Sequence, residues 1–199
     1  MSHEMGLGAS GIARDLPEMI GMTLVMMGPG ALPAVRHVAA NSLRRRRTRA
    51  VLEFSVAFVA TWVAFLVLSR LGLNALGLQP GWIVSSAFLL AAAVWQLSPM
   101  AAWLRLRGHS AVVLPLSGPE AEIASLSFGA RFGGACVGTC GIAMSAVTMM
   151  PAYRIAGMLA LSVLVVVERT WDPRRVAVRQ AAVLACGAAF ATIAMRISS

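Results

Sequence analysis

Lysine is absent from this chain, and all 17 of its strongly basic residues are arginines. Acidic residues number only 8, and charged residues make up 13% of the 199 residues, with a formal net charge of +9. A soluble domain of this length could not cover its surface with so few charges. Nucleic-acid binding is rejected, because the arginines cluster between apolar runs, as they do in the cytoplasmic loops of membrane proteins.

Cysteine is also scarce, and Cys136, Cys140 and Cys186 all lie in apolar segments. An odd number of cysteines in such segments does not describe the disulfide framework of a secreted domain, so reduced thiols are expected. The sequence contains no phosphate-binding glycine loop, no paired nucleophile and base, and no zinc hydrolase signature. It therefore predicts a protein that is not an enzyme.

Long apolar runs are abundant, since 58% of the residues are hydrophobic. A helix of about 20 apolar residues crosses a bilayer. Candidate spans lie at about 16–35, 51–71, 81–104, 128–150, 155–167 and 176–197. The first contains Gly28-Pro29-Gly30, which is tolerated at membrane depth only where neighbouring groups satisfy the freed backbone. The sequence predicts an all-α, polytopic membrane helical bundle of about six transmembrane helices with a kinked first span.

Polar segments suggest the domain organisation and the orientation. Residues 1–15 are predicted to form an N-terminal tail, and residues 16–199 a single transmembrane domain with a loop at about 105–127. Assigning that loop and the Arg44–Arg47 run to the cytoplasm places most of the arginines inside, as the positive-inside rule requires. We therefore expect a multi-pass protein of the inner (plasma) membrane with both termini outside the cytoplasm.

The most distinctive motif is Cys136, Cys140 and Met144, at four-residue spacing within an apolar run. Four residues advance about 400° along an α-helix, so the three side chains share one face. Soft sulfur ligands suit a soft ion such as Cu(I), and metal coordination favours the thiolate form. The alternative is that the cysteines are small buried hydrophobes. The flanking motifs Gly129-x-x-x-Gly133 and Gly134-x-x-x-Gly138 favour close helix packing.

The first span contains a second sulfur group, Met19, Met22, Met26 and Met27, in which Met22 and Met26 share a helix face. If these thioethers converge with the cysteines, Met22, Met26 and Met27 are candidate metal ligands and a transfer path. The alternative is that they are flexible core filler. Gln96 lies deep in the third apolar run, and we expect its amide to hydrogen-bond a neighbouring helix.

Four segments together resemble the ordered landmarks of one family. They are Met26-Met27-Gly28-Pro29-Gly30-Ala31-Leu32-Pro33, Trp95-Gln96-Leu97-Ser98-Pro99, Cys136-Val137-Gly138-Thr139-Cys140 through Met144, and Glu168-Arg169. The chain resembles the predicted metal-binding, copper-chaperone-like integral membrane proteins known as domain of unknown function 2182, from about residue 16 to residue 197. The resemblance implies a compact helical membrane protein that handles copper or another transition metal.

Motif and resemblance together predict a membrane-embedded, copper-binding chaperone or insertion factor for a metalloenzyme. Its cargo would be Cu(I), and its partners would be the lipid bilayer and either a client metalloenzyme or other membrane subunits. Thr139 stands where the family carries a cysteine adjacent to Cys140. The alternative is therefore a non-catalytic accessory or structural subunit of a larger membrane oxidoreductase complex that has lost metal binding.

Overall fold

The computed structural model of the chain describes residues 9–109, 112, 115, 118–150, 154–170, 181–189 and 192. Its helices are α1 (Ala9–Ala40), α2 (Arg47–Ala75), α3 (Trp82–Gln96), α4 (Pro99–His109), α5 (Pro119–Thr148) and α6 (Arg154–Thr170). Residues 181–189 form a further helical segment, α7. No strand occurs in these described ranges. The predicted all-α helical bundle is confirmed.

Helix α5 lies at the centre of the bundle and contacts α2, α3, α4 and α6. Its closest approach is to α2, where a Cβ atom built on Gly129 would lie 2.4 Å from the backbone oxygen of Phe54. One turn later, a Cβ atom on Gly133 would lie 3.0 Å from the Cβ atom of Thr61. Small residues allow two helix backbones to approach this closely. The first glycine motif therefore packs as the sequence predicts.

The third apolar run is not a single straight span. Helices α3 and α4 are bent by 76° at the short break between them, so the run predicted as one span over 81–104 is a broken span or a re-entrant loop. Ser98 caps the second helix, because its Oγ accepts a hydrogen bond from the Ala101 backbone N–H at 3.1 Å. Pro99 occupies the first helical position, where its fixed φ favours a helix start and its missing N–H costs nothing. The Ser-Pro pair thus begins a new helix in a new direction.

The predicted loop at 105–127 is much shorter than expected. Helix α4 continues through His109, and α5 already begins at Pro119, after Gly118 with a positive φ of 89°. Glu120 and Glu122 occupy the first turn of α5, where carboxylates interact favourably with the helix dipole. The N-terminal tail predicted over 1–15 also changes, because α1 begins at Ala9 and only residues 1–8 lie outside the described part at that end.

Three helices are long and apolar enough to cross a membrane, and a fourth span results if α3 and α4 are counted together. These three are Asp15–Ala40, Arg47–Ala75 and Pro119–Thr148. The fifth predicted span is an apolar but shorter helix, Ile155–Val167, and the predicted span over 176–197 lies largely outside the described residues. Helix α1 continues through Pro29 without interruption, and the kink expected there stays a prediction.

Polar contacts tie the helices together at both ends of the bundle. At one end, here called the Arg49 end, Arg49 pairs with Glu122 at 2.7 Å and so joins α2 to α5. At the opposite end, here called the Met149 end, Arg70 of α2 pairs with Asp15 of α1. There the Gly81 N–H also donates to the Met149 carbonyl at 3.0 Å.

Candidate metal centre

A stripe of buried side chains at four-residue spacing runs along α5, and its chemistry changes partway. The members are Phe128, Phe132, Cys136, Cys140 and Met144. Near the Arg49 end the stripe is aromatic, and Phe54 of α2 packs against both of its phenylalanines at ring-centroid distances of 5.3 and 5.8 Å. Toward the Met149 end the stripe consists of sulfur side chains. The core therefore has an aromatic half and a sulfur half.

The two thiols lie in the interior of the bundle. Cys136 is 2% exposed, Cys140 is 4% exposed, and Met144 is fully buried. Successive members are one helical step of about 6 Å apart along the axis. Between the cysteines, the Thr139 hydroxyl donates to the Cys136 carbonyl at 3.1 Å, and its oxygen lies 3.5 Å from the Cys140 sulfur. The thiols thus face the core of the bundle and are shielded from its surroundings.

A buried polar network holds this segment of α5 against the bent helix pair. Gln96 donates from its side-chain amide to the Thr139 carbonyl at 2.9 Å. Trp95 donates from its indole N–H to the Gly138 carbonyl at 2.7 Å. The expected bond between Gln96 and a neighbouring helix is confirmed. Two adjacent side chains at the end of α3 therefore fix the backbone between the two cysteines.

Arg105 completes the network from α4. Its guanidinium donates to the side-chain oxygen of Gln96 at 2.5 Å and to the backbone oxygen of Gln96 at 3.0 Å. The residue is only 2% exposed, so its sequence-based assignment to a cytoplasmic loop is wrong. The sharp turn at Ser98-Pro99 brings α4 against α5 and places the arginine inside. Two hydrogen bonds now connect a fixed positive charge to the backbone of Thr139.

The methionines of α1 divide into two groups. Met26 and Met27 are buried in the same continuous hydrophobic core as Cys136, Cys140 and Met144. Met22 is half-buried and packs at the edge of that core, toward the Met149 end. Met19, three residues before Met22, is buried as well. Residues three apart are neighbours on a helix surface.

The donor set decides which ion these residues can hold. The described residues contain no group of three or more histidine, cysteine, aspartate and glutamate side chains placed to hold a metal ion. An ion in the sulfur half of the core would be held by two thiolates and by thioethers. Such ligands select soft Cu(I), whereas carboxylate and carbonyl oxygens suit Mg²⁺ or Ca²⁺.

The chain matches one protein-family model, and the matched range covers the thiols and the polar network described above. The PpoB2 copper chaperone family model matches residues 20–192, a range that includes the stripe of α5, the Gln96 and Arg105 network and the methionines from Met22 onward. No curated protein and no solved structure matches the chain. The copper-chaperone resemblance is confirmed, and the chain belongs to the PpoB2 copper chaperone family.

Proposed function

We propose that this protein is a membrane-embedded chaperone or insertion factor that binds Cu(I) and supplies it to a client metalloenzyme. Cys136 and Cys140 are the primary ligands, and Met144 completes the coordination. The pair of inward-facing thiols one helical turn apart carries this proposal, and the family match supports copper as the cargo. The role is binding and transfer, with no catalytic step assigned to the chain.

Charge balance supports the assignment of the cysteines. Two thiolates around one Cu(I) ion form a complex of charge −1, and burial of an isolated charge in an apolar core is strongly unfavourable. The guanidinium of Arg105, which is linked through Gln96 to the backbone between the cysteines, offsets that charge. Before the ion binds, its hydrogen bonds to Gln96 help to satisfy the same guanidinium.

Met22, Met26 and Met27 form the transfer path in this proposal. Thioethers are neutral and bind Cu(I) more weakly than thiolates do, so an ion on them exchanges readily. Met26 and Met27 belong to the core that contains the thiols, and Met22 lies at its edge near the Met149 end. These thioethers offer an ion soft ligands at the edge of the core and in its interior.

Membrane embedding is supported by the lengths of three helices and by their apolar outer faces. Val56 and Leu68 of α2, for example, are 62% and 67% exposed. We place the protein in the inner membrane with the Arg49 end toward the cytoplasm, where the Arg44–Arg47 run meets anionic headgroups. Both chain termini then lie outside the cytoplasm, and the client receives copper at the Met149 end.

Cu(I) titration of the purified full-length protein tests the ligand assignment. We expect Cys136→Ser and Cys140→Ser together to remove one tightly bound ion per chain. Each single variant should weaken that site by about 100-fold or more, since even the loss of a group that only supports a ligand costs 10–100-fold in affinity. Competition with a chromophoric Cu(I) chelator under anaerobic, reducing conditions measures both quantities.

Cys186→Ser provides the matched control, because Cys186 is exposed and the chemical change is the same. It should leave the tight site intact. Unchanged stoichiometry in the Cys136→Ser/Cys140→Ser variant would reject these two cysteines as the copper ligands. Absence of tight Cu(I) binding in the wild type, together with copurification of the double variant in a complex of undiminished activity, would support the alternative of an accessory subunit.

A further inference from the structure

Two cavities adjoin at the Met149 end, and both are lined by Glu18 and Met22 of α1. The first has a volume of about 150 Å³ and lies between α1, α2, the connection before α3 and the end of α5. Met19, Met22 and Met149 contribute its thioethers. None of the candidate ligands in α5 lines this cavity, so it is separate from the thiol pair.

The second cavity is a more open groove of about 530 Å³ between α1 and α6. Its lining adds Met26 and Met158 to the shared Met22 and Glu18. Met22 therefore has one cavity on each side of it, and the groove leads to Met26, which also belongs to the core. The two cavities together connect the outer end of α1 with the methionines proposed above as the transfer path.

The lining of the first cavity carries soft donors. Met19, Met22 and Met149 contribute thioethers, and Arg70, which also lines the cavity, is paired with Asp15. Thioethers select a soft ion such as Cu(I) over a hard one.

The cavity also lies in line with the thiol pair. Met149 caps the C-terminus of α5, and Ser145 and Thr148 of the same helix line the cavity. Ser145 directly follows Met144, the outermost member of the sulfur half of the stripe. The rise from Met144 to Met149 is about 7.5 Å. An ion in the cavity would thus lie about one and a half helical turns along α5 from Met144, the nearest ligand of the proposed thiol site.

We propose that this cavity is a second Cu(I) site, formed by the thioethers of Met19, Met22 and Met149, at which the protein receives and releases its cargo. The proposal rests on the function proposed above, because copper is the cargo in both, but it assigns different ligands and predicts a separate, weaker binding event.

Cu(I) itself is the probe, added to the full-length protein in detergent micelles in competition with a chromophoric chelator. In the Cys136→Ser/Cys140→Ser background, one weaker ion per chain should remain. Adding Met19→Leu, Met22→Leu and Met149→Leu should abolish it. Leucine conserves the volume of methionine and costs little in stability. Met100→Leu, an exposed position on α4, is the matched control and should retain the ion.

A kinetic measurement tests the same site with the cysteines intact. We expect the triple leucine variant to load the thiol pair at least tenfold more slowly at an unchanged equilibrium affinity, and Met100→Leu to load it at the wild-type rate. Circular dichroism and thermal unfolding check that each variant is folded.

The outcomes separate the two proposals. Loss of all copper binding in Cys136→Ser/Cys140→Ser, or retention of the weaker ion after the three leucine substitutions, overturns the second site and leaves the thiol site standing. Retention of the tight ion in the cysteine double variant overturns the function proposed above. Unchanged loading kinetics in the triple leucine variant also overturns the role of the cavity.

Discussion

Gly129→Ala is expected to destabilise the helical bundle by about 2–3 kcal/mol or more, a larger effect than that of most single substitutions. The new Cβ atom would lie 2.4 Å from the backbone oxygen of Phe54 and 3.0 Å from the Cβ atom of Ala57. A backbone oxygen cannot rotate away as the end of a flexible side chain can, so α2 and α5 must separate. Overpacking of a core typically costs 1–3 kcal/mol, and here it opens the principal helix contact of the bundle.

Gly134→Ala is the matched control on the same helix. A Cβ atom at Gly134 would meet nothing within 4 Å, so the substitution should be neutral or should stabilise α5 by up to about 1 kcal/mol through helix propensity. Thermal unfolding of both variants in the same detergent measures the difference. Equal unfolding temperatures for the two variants would show that the α2–α5 contact is less close than described.

Arg105→Gln is expected to weaken Cu(I) binding at the thiol pair by about 10- to 20-fold. The guanidinium lies two hydrogen bonds from the Thr139 backbone, on the order of 10 Å from the proposed ion, where a unit charge contributes about 1.5 kcal/mol at an effective dielectric constant of 20. Loss of that charge leaves the anionic copper–thiolate complex uncompensated in the core. Arg105→Lys should recover only part of the affinity, because lysine lacks the planar fork that contacts both oxygens of Gln96.

Arg107→Gln makes the same change of charge two residues later on α4, where the side chain is exposed and its guanidinium lies 4.3 Å from the centre of the Trp103 ring. Its Cu(I) affinity should remain within about twofold of the wild type. Chelator competition compares the variants, and the unfolding temperature of each separates an effect on binding from an effect on folding. Equal affinities for Arg105→Gln and Arg107→Gln would contradict the charge-balance argument.

The features best predicted from sequence are those that local chemistry determines. A long apolar run specifies α2, and the spacing of Gly129 and Gly133 specifies a close helix contact, since nothing larger than hydrogen fits at Gly129. The common face of Cys136 and Cys140 follows from helical geometry. The same four-residue spacing continues from Cys136 back to Phe132 and Phe128. Bulky aromatic side chains at these positions indicate that the helix face that carries the cysteines is turned toward the core.

Other features depend on contacts that a sequence pattern does not contain. A hydropathy run over 81–104 cannot show that Ser98 and Pro99 start a helix in a new direction. Arginine counting places Arg105 in a loop, whereas Gln96 offers that arginine two acceptors in the interior of the bundle. Similarly, Gly134 belongs to a motif of the same form as Gly129 but lies where α5 has no close neighbour.

The division of the core into an aromatic half and a sulfur half has a consequence for the proposed route of copper. Beyond Cys136 the stripe continues as the packed rings of Phe132 and Phe128, which offer a metal ion no lone pairs. If copper enters at the Met149 end, as proposed above, it also leaves at that end. The direction of its transfer would then depend on the donor or acceptor protein bound there.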